Sequence, residues 1–225
     1  KAKLSLNAFL KHSNQNILND YQLIGRMGLS FHHNPLQYWE GGVKFGTRYT
    51  AGEHYSDVFG LYASHARRIG NSGTLRVSGE ISRAFRRYDR ADVDRSFLSV
   101  GYSQQFRGNA AANVRAFIDA TNTDQLNLDG VRHGVSIGGS YAFDGGLVAG
   151  LTIRGEIESR TGVSPFFGVA RKDHKLGLDL SIHHQKFQIG SFAPQVRFGI
   201  EKNKSNIPIA QYLNRSITLG FTRKF

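Results

Sequence analysis

Residues 131–143, with the sequence VRHGVSIGGSYAF, decide the fold because their side chains alternate between two chemical classes. The odd positions, from Val131 to Phe143, are mostly apolar or aromatic, whereas the even positions carry Arg132 followed by Gly, Ser and Ala. Successive side chains of a strand point to opposite faces of a sheet, so this segment has one apolar and one polar face. The stretch predicts a β-strand that separates two environments.

The same period of two recurs along the whole chain, and no sustained helical pattern interrupts it. It predicts an all-β fold of about twelve strands: 3–11, 21–33, 37–49, 55–68, 74–87, 93–106, 111–122, 131–143, 147–159, 174–187, 195–203 and 212–225. The alternation is weakest in 55–68. Residues 161–172 have room for further strand, so a count of fourteen stays open.

The segments between these strands alternate in length. The short set is 33–36, 68–73, 107–110, 144–146 and 188–194, and the longer, more polar set is 12–20, 50–54, 88–92, 123–130, 160–173 and 204–211. Short periplasmic turns and long extracellular loops are typical of an antiparallel transmembrane β-barrel of the bacterial outer membrane. We therefore expect residues 1–225 to form one such barrel domain, with both termini in the periplasm because the strand number is even.

The placement of charge favours this barrel over a soluble β-protein. A barrel turns its apolar face to lipid and encloses a polar lumen. We predict that fifteen charged residues on polar strand positions line the lumen: Arg26, Glu40, Lys44, Arg48, Arg76, Glu80, Arg95, Arg115, Asp119, Arg132, Arg154, Glu156, Asp179, Arg197 and Glu201.

The strand ends and the chain end carry further signals. Aromatic residues near the strand ends predict two interfacial girdles, one near the short turns (Tyr38, Trp39, Phe106, Tyr141, Phe143, Phe187) and one near the loops (Tyr21, Tyr49, Tyr55, Tyr88, Tyr212). The terminal Phe225, with Phe221 on the same face, resembles the signal that the outer-membrane assembly machinery recognises. Because unpaired strand edges are costly in lipid, strand 3–11 is expected to pair with strand 212–225.

Composition excludes several other classes. The chain has no cysteine, which excludes disulfide scaffolds, zinc fingers and thiol enzymes. It also has no apolar run of about 18 residues, as a membrane helix would need. The net charge of +12 suggests nucleic acid at first, but the basic residues are dispersed over alternate strand positions. We expect no nucleic-acid partner, and assign the charge to the lumen and to rims that meet membrane lipid and lipopolysaccharide.

Metal and catalytic sites receive little support. His32-His33 and His183-His184 are adjacent on strands, so the two rings of each pair point to opposite faces and do not chelate one metal. A hydrolytic site at the rim could use Ser181 with His183, or His65 with Asp57, but neither pair has a distinguishing context. We expect no cofactor and no enzymatic activity.

A series of short motifs carries a family resemblance. Ser13-Asn14 follows the first strand, and the last sixty residues contain Phe166-Phe167, Arg171, Asp173, Pro194 and Ser205-Asn206 in that order. This order resembles the C-terminal barrel of the surface lipoprotein assembly modulators (Slam proteins). The resemblance implies a barrel, of fourteen strands in that family, that follows a periplasmic helical-repeat domain not present in this sequence.

The resemblance also implies a function. Such a protein helps to move a client, a lipoprotein or a secreted protein, to the cell surface without catalysis. A passive channel for small, preferably anionic solutes is the alternative, and a rim-site outer-membrane hydrolase is the third.

Overall fold

The structure is a computed structural model that describes residues 2–11, 20–34, 36–87, 91–106, 108–123, 129–184, 186–187 and 193–222. Twelve strands form one sheet: β1 (Ala2–Lys11), β2 (Asp20–Asn34), β3 (Gln37–Thr50), β4 (Glu53–Ile69), β5 (Gly73–Arg86), β6 (Val93–Gln105), β7 (Ala110–Thr123), β8 (Gly130–Ala142), β9 (Leu147–Val163), β10 (Ala170–His184), β11 (Ala193–Ser205) and β12 (Tyr212–Thr222). A short 3-10 helix, Pro208–Ala210, precedes β12. No helix in these described ranges is long and apolar enough to cross a membrane.

The predicted strand pattern is confirmed. Each strand pairs antiparallel with the next one along the chain, so the sheet order is the sequence order from β1 to β12. Residues 161–172 add no strand, because β9 extends to Val163 and β10 begins at Ala170. The count in the described part of the chain is therefore twelve, not fourteen.

The seam between β1 and β12 differs from the expectation. Among the described residues these two strands form no ladder, so the expected pairing of 3–11 with 212–225 is not observed and the sheet is open there. With ten and eleven residues, they are the two shortest strands and offer the fewest ladder hydrogen bonds. The neighbouring pairs β1–β2 and β11–β12 are fully formed.

Two connections do not follow the predicted alternation of lengths. The expected long loop at 50–54 is a two-residue turn, Ala51-Gly52, with φ values of 57° and 83°. Positive φ at both central positions gives the tight hairpin turn whose twist matches the strands. Conversely, β10 ends at His184 and β11 begins at Ala193, so the expected tight connection at 188–194 is a longer one.

Burial in the sheet is inverted relative to a soluble protein. In the described part of the chain, the buried hydrophobic residues are Ala66 and Ile207 alone, whereas Lys44, Glu80 and Asp119 are buried together with several Ser. Large hydrophobic side chains are exposed on most strands. We call the side of the sheet that carries these apolar residues the apolar face, and the opposite side the polar face. This inversion is what a lipid-facing surface around a polar interior requires.

Candidate functional site on the polar face

The strand register places all fifteen predicted charged residues on the polar face. Arg26 lies directly opposite Lys44, Asp119 opposite Arg132, and the other members follow at even spacing along each strand. A shift of one residue in any strand would turn its charges to the apolar face. The observed pairing therefore places these residues on the same face of the sheet as the odd–even alternation of the sequence predicts. We call the odd or even position of a residue along its strand its parity.

Ten charged side chains join into one chain of ion pairs, which we call the ion-pair belt: Arg26, Lys44, Glu80, Arg95, Asp119, Arg132, Arg154, Glu156, Asp179 and Glu201. Glu80 on β5 accepts from Arg26 Nη2 and from Lys44 Nζ, each at 2.6 Å. Asp119 on β7 accepts from Arg95 Nε at 2.7 Å and from Arg132 Nη2 at 2.7 Å. Arg95 Nη1 also lies 3.7 Å from Glu80. Glu80 therefore contacts cations from three other strands, and Asp119 contacts cations from two.

The belt continues to the end of the sheet through Arg154 on β9. This guanidinium contacts Glu156 at 3.3 Å, Asp179 at 3.7 Å and Glu201 at 3.0 Å. The belt thus runs from β2 to β11 and contains five cations and five anions. The arginines of the belt on the polar face are therefore neutralised by acids, and the belt accounts for little of the net charge of +12.

The belt also shows how the sheet curves. Arg26 is on β2 and Glu80 is on β5, three strands away. In a flat sheet these strands would be about 14 Å apart. Their side chains meet at 2.6 Å, so the sheet bends towards its polar face, as it does in a barrel.

Aromatic rings lie on the polar face among the charges. The Arg95 and Arg115 guanidinium carbons each lie 5.5 Å from the centre of the Phe97 ring, and Arg132 lies 5.5 Å from that of Phe117. Phe97 and Phe117 stack with ring centres 6.0 Å apart. Cation–π contacts of this kind hold the guanidinium planes in position. The sequence prediction did not include these rings. Phe97 alternates with Arg95 and Ser99 along β6, so its position in the strand already indicated that its ring lies on the polar face.

Five predicted residues lie on the same face outside the belt. Arg48 makes a bidentate pair with Asp20 at 2.9 and 2.6 Å, and Glu40 lies opposite Ser64. Arg76 donates to the Tyr38 hydroxyl and covers its ring at 5.4 Å. The two others, Arg115 and Arg197, make no ion pair with any described residue: Arg115 donates to Ser99 Oγ at 3.2 Å and Arg197 is exposed.

A polar cavity of about 540 Å³ lies between these groups. Arg76 and Arg115 flank Gly101 in one row of the sheet, and all three border the cavity. Neither guanidinium has a carboxylate partner among the described residues, and Gly101 adds no side chain between them. The arrangement offers two cationic groups to one space.

Four family-motif residues near the loops lie close together with Asn203, and we call this group the loop-end cluster: Arg171, Asp173, Ser205, Asn206 and Asn203. The Arg171 guanidinium donates to Asp173 Oδ2 at 2.9 and 2.6 Å, and the Asp173 side chain is fully buried. Asn206 accepts from the Lys172 amide at 2.7 Å and donates to the Ala170 carbonyl at 2.8 Å. Asn206 thereby fixes the irregular start of β10, where the register with β9 shifts. Asn203 was not among the predicted residues.

The other motif and signal residues are more scattered. Phe166 and Phe167 lie in the turn between β9 and β10, where Phe166 is 90 % exposed. Pro194 pairs with Phe221 at the other end of the sheet. Ser13, Asn14 and Phe225 lie outside the described residues, so the loop motif after β1 and the terminal assembly signal stay predictions.

The predicted girdles are only partly on the apolar face. Trp39, Phe106, Tyr141, Phe143 and Phe187 are exposed near the short connections. Tyr38 instead stacks under Arg76 on the polar face, because its position along β3 is even. Near the loops, Tyr55 lies between Arg48 and Arg86, and Tyr212 donates to Glu201 at 2.6 Å. Tyr88 lies outside the described residues.

The hydrolytic candidates do not form a site. His65 and Asp57 are eight residues apart on β4, about 26 Å along an extended strand, and Asp57 pairs with His54 at 2.9 Å. Ser181 shares a face with His183 but donates to the Gly150 carbonyl at 3.5 Å. The described residues contain no group of three or more His, Asp or Glu side chains that could hold a metal.

Comparison with solved structures supports the barrel. The siderophore receptor PirA from Pseudomonas aeruginosa matches all of this chain with a TM-score of 0.53 and 10 % identity, and the chain covers 42 % of that receptor. A loop L8 deletion mutant of OmpT, an outer membrane protein of Vibrio cholerae, matches with a TM-score of 0.51 and 9 % identity over 98 % of each chain. At this identity the likeness shows the fold alone.

The sequence comparisons give the family. No match was found among curated proteins. The sequence model of the surface lipoprotein assembly modifier family matches residues 11–225, nearly the whole chain. The chain is thus an outer-membrane β-barrel and belongs to the surface lipoprotein assembly modifier family.

Proposed function

We propose that this barrel is a translocator that helps to bring a client, a surface lipoprotein or a secreted protein, to the cell surface. The observation that carries the proposal is the family match over residues 11–225. The action is non-covalent: the barrel supplies a passage or an insertion site, and no bond of the client is made or broken. We place the termini in the periplasm and the longer loops outside, and expect the assembly machinery to recognise the final strand.

The seam supports a route at β12. Every described side chain from Tyr212 to Leu219 is exposed, and Leu219 is exposed by 77 %. One edge of β12 pairs with β11, and the other pairs with no described strand. An unpaired edge presents N–H and C=O groups that can hydrogen-bond to an extended segment of another chain. A client segment could therefore add to the sheet at this edge.

The polar face supports the alternative route through the interior. Belt arginines such as Arg26 and Arg95 keep 43 % and 36 % of their side chains exposed, so they border open space rather than filling a packed core. The carboxylates that pair with these two arginines, Glu80 and Asp119, also accept hydrogen bonds from the belt cations Lys44 and Arg132. A passing polar segment would meet a charged but balanced wall, which attracts neither sign strongly.

Photo-crosslinking during export tests the proposal and separates the routes. The client is a lipoprotein whose surface display is lost when the gene is deleted, and p-benzoylphenylalanine replaces Leu213 on β12, Arg115 on the polar face or Ile137 on the apolar face of β8. We expect a client adduct from Leu213 by the seam route or from Arg115 by the interior route, and none from Ile137. Equal adducts from all three positions, or from none, would argue against translocation by this barrel.

A second function, a passive channel for small anions, is favoured by one observation. Arg76 and Arg115 border the polar cavity without carboxylate partners among the described residues. In planar bilayers the channel proposal requires conductance with anion selectivity, and replacement of both arginines by Gln should lower that selectivity. Wild-type protein that inserts without conductance would leave the translocator as the better account.

We also propose that the barrel has no catalytic role. Neither Ser181 with His183 nor His65 with Asp57 forms a triad in the described residues. Purified folded protein incubated with detergent esters and casein should release no product above a heat-unfolded control. Hydrolysis lost on replacement of Ser181 by Ala would favour the rim-site hydrolase instead.

A further inference from the structure

A group of basic side chains lies on the apolar face of β10–β12, close to the loops. We call it the basic patch, and it consists of Lys172 and His174 on β10, Lys202 and Lys204 on β11, and Arg215 on β12. His174 lies directly opposite Lys204 in the β10–β11 ladder. In the β11–β12 ladder, Lys202 pairs with Leu213, and Arg215 lies diagonal to Lys202, two residues further along β12. All five side chains are exposed.

The positive charge of this patch is not compensated within the described structure. None of the five side chains makes an ion pair with any described residue. Among the described residues, the apolar face of β8–β12 carries no Asp or Glu. The five acids of these strands, Glu156, Glu158, Asp173, Asp179 and Glu201, all have the parity of the polar face. Lys172 lies diagonal to Lys204, and Lys202 lies diagonal to Arg215, so like charges are close together on one face. Like charges across a ladder are unfavourable, so an external anion would stabilise this arrangement.

Another charged site at the same end of the sheet shows the contrast. Arg83 on β5 and Asp94 on β6 also lie on the apolar face, and Arg83 donates to both Asp94 oxygens at 2.8 Å. This cation is neutralised by its neighbour and needs no external partner. The cations of the basic patch have no such carboxylate on a neighbouring strand among the described residues.

The residues next to the patch show what kind of anion it would meet. Going from the loops towards the short connections, the rows change from His174–Lys204 to Leu178–Ile200 and then to Leu180–Phe198 and Val196–Leu219. Ile217 and Leu219 are exposed by 70 % and 77 %. A band of cations above a wide apolar surface matches the boundary between the headgroups and the acyl chains of a bilayer.

We propose that the basic patch binds the phosphate groups of an anionic lipid whose acyl chains cover the apolar face of β10–β12. A free soluble anion would be held by the cations alone, whereas a lipid is held by the cations and the apolar rows together. A nucleic acid is disfavoured, because its backbone would leave these apolar rows in water. The site lies beside the seam at β12.

Native mass spectrometry of the folded chain in detergent tests this site. Diphosphoryl lipid A, monophosphoryl lipid A and phosphatidylcholine are titrated onto wild type, onto the triple variant Lys202→Gln, Lys204→Gln and Arg215→Gln, and onto the control Arg83→Gln. Each cation near an anionic headgroup contributes roughly fivefold in affinity. The triple variant should therefore bind diphosphoryl lipid A on the order of a hundredfold more weakly, with Arg83→Gln close to wild type. Monophosphoryl lipid A should bind less tightly than the diphosphoryl form.

Two results would overturn the proposal. The first is equal retention of diphosphoryl lipid A by wild type and the triple variant. The second is competition by inorganic phosphate at the same concentration as the lipid, which would show a free-anion site. A heat-modifiable gel shift checks that each variant is folded. The variant Lys202→Arg with Lys204→Arg, which keeps the charge, must retain lipid at the wild-type level, and its failure to do so would equally count against the site.

Discussion

Lys44 on β3 donates to Glu80 on β5 across the intervening strand, with 2.6 Å between Nζ and Oε1, and each side chain is only 8 % exposed. The strand between them has Gly60 opposite Lys44, so no side chain at that position separates the pair. Glu80 also accepts from Arg26 at 2.6 Å. Arg95 Nη1 lies 3.7 Å from the same carboxylate. Three cations therefore contact one buried carboxylate, and this makes Glu80 the most sensitive member of the ion-pair belt.

Replacement of Glu80 by Gln should destabilise the fold by about 3–5 kcal/mol, because the buried ammonium of Lys44 loses its partner. The matched control is Asp94→Asn, which removes the partner of Arg83 in a pair whose side chains are 53 % and 49 % exposed. That change should cost less than about 1 kcal/mol. Unfolding in denaturant, followed by gel mobility and circular dichroism, measures both values. Equal losses for the two variants would show that burial of the belt contributes nothing.

The adjacent glycines Gly41 and Gly42 should respond differently to substitution. A Cβ at Gly42 would lie 2.1 Å from the Met27 carbonyl oxygen and 2.5 Å from the Gly28 Cα, both backbone atoms. A Cβ at Gly41 would meet only the Tyr62 carbonyl oxygen, at 3.6 Å. We expect Gly42→Ala to lower the unfolding free energy by about 1–3 kcal/mol and Gly41→Ala to stay within about 0.5 kcal/mol of wild type. The opposite order would mean that β2 and β3 do not approach each other in this register.

Loss of the Asn206 side chain should loosen the start of β10. Asn206→Ala removes the acceptor of the Lys172 amide and the donor to the Ala170 carbonyl. Hydrogen exchange at the Lys172 amide should become faster by on the order of tenfold, because a hydrogen bond of about 1 kcal/mol is lost together with its neighbour. Asn214→Ala, in the exposed polar face of β12, is the control and should leave this amide unchanged. Unaltered exchange at the Lys172 amide in Asn206→Ala would show that Asn206 does not hold the start of β10 in place.

The absence of cysteine makes the orientation of the barrel directly measurable. Phe166→Cys places one thiol in the exposed turn between β9 and β10, and Gly145→Cys places one in the short turn between β8 and β9, where a Cβ meets no atom within 4 Å. An impermeant maleimide should label residue 166 in intact cells and residue 145 only after the outer membrane is opened. The reverse pattern would place the termini outside the cell.

Much of the fold was predictable from the sequence because parity is a property of each strand by itself. Arg26, Asp119 and Glu201 could be assigned to one face from their neighbours along the chain alone. Their partners could not, because contacts such as Arg26 with Glu80 depend on the register and curvature of four strands together. The turn at Ala51-Gly52 was missed because polar neighbours made 50–54 look like a loop, although Gly52 supplies the positive φ that a tight hairpin requires. The open seam between β1 and β12 could not be predicted, because the alternation of side chains shows which face each residue is on and not whether a strand edge is paired.

The basic patch is a second feature that the odd–even alternation along single strands does not predict. The sequence pattern assigned the excess positive charge to the lumen and to the rims, but it named no residues of a rim site. Lys202, Lys204 and Arg215 have apolar-face positions in the ladder. Each of these residues breaks the alternation near a strand end, where a deviation is easily read as the beginning of a loop. Only the pairing of β10, β11 and β12 shows that they form one surface.

Protease accessibility of lipoproteins at the cell surface shows whether this barrel brings a client there. Intact cells with and without this gene are treated with protease, and the membrane lipoproteins are followed by quantitative mass spectrometry, with a periplasmic protein as the control for membrane integrity. At least one lipoprotein should be degraded in wild-type cells, be protected in the deletion strain while still membrane-bound, and become accessible again when the gene is restored. Equal protease accessibility of every lipoprotein in wild-type and deletion cells would show that this barrel does not export a lipoprotein.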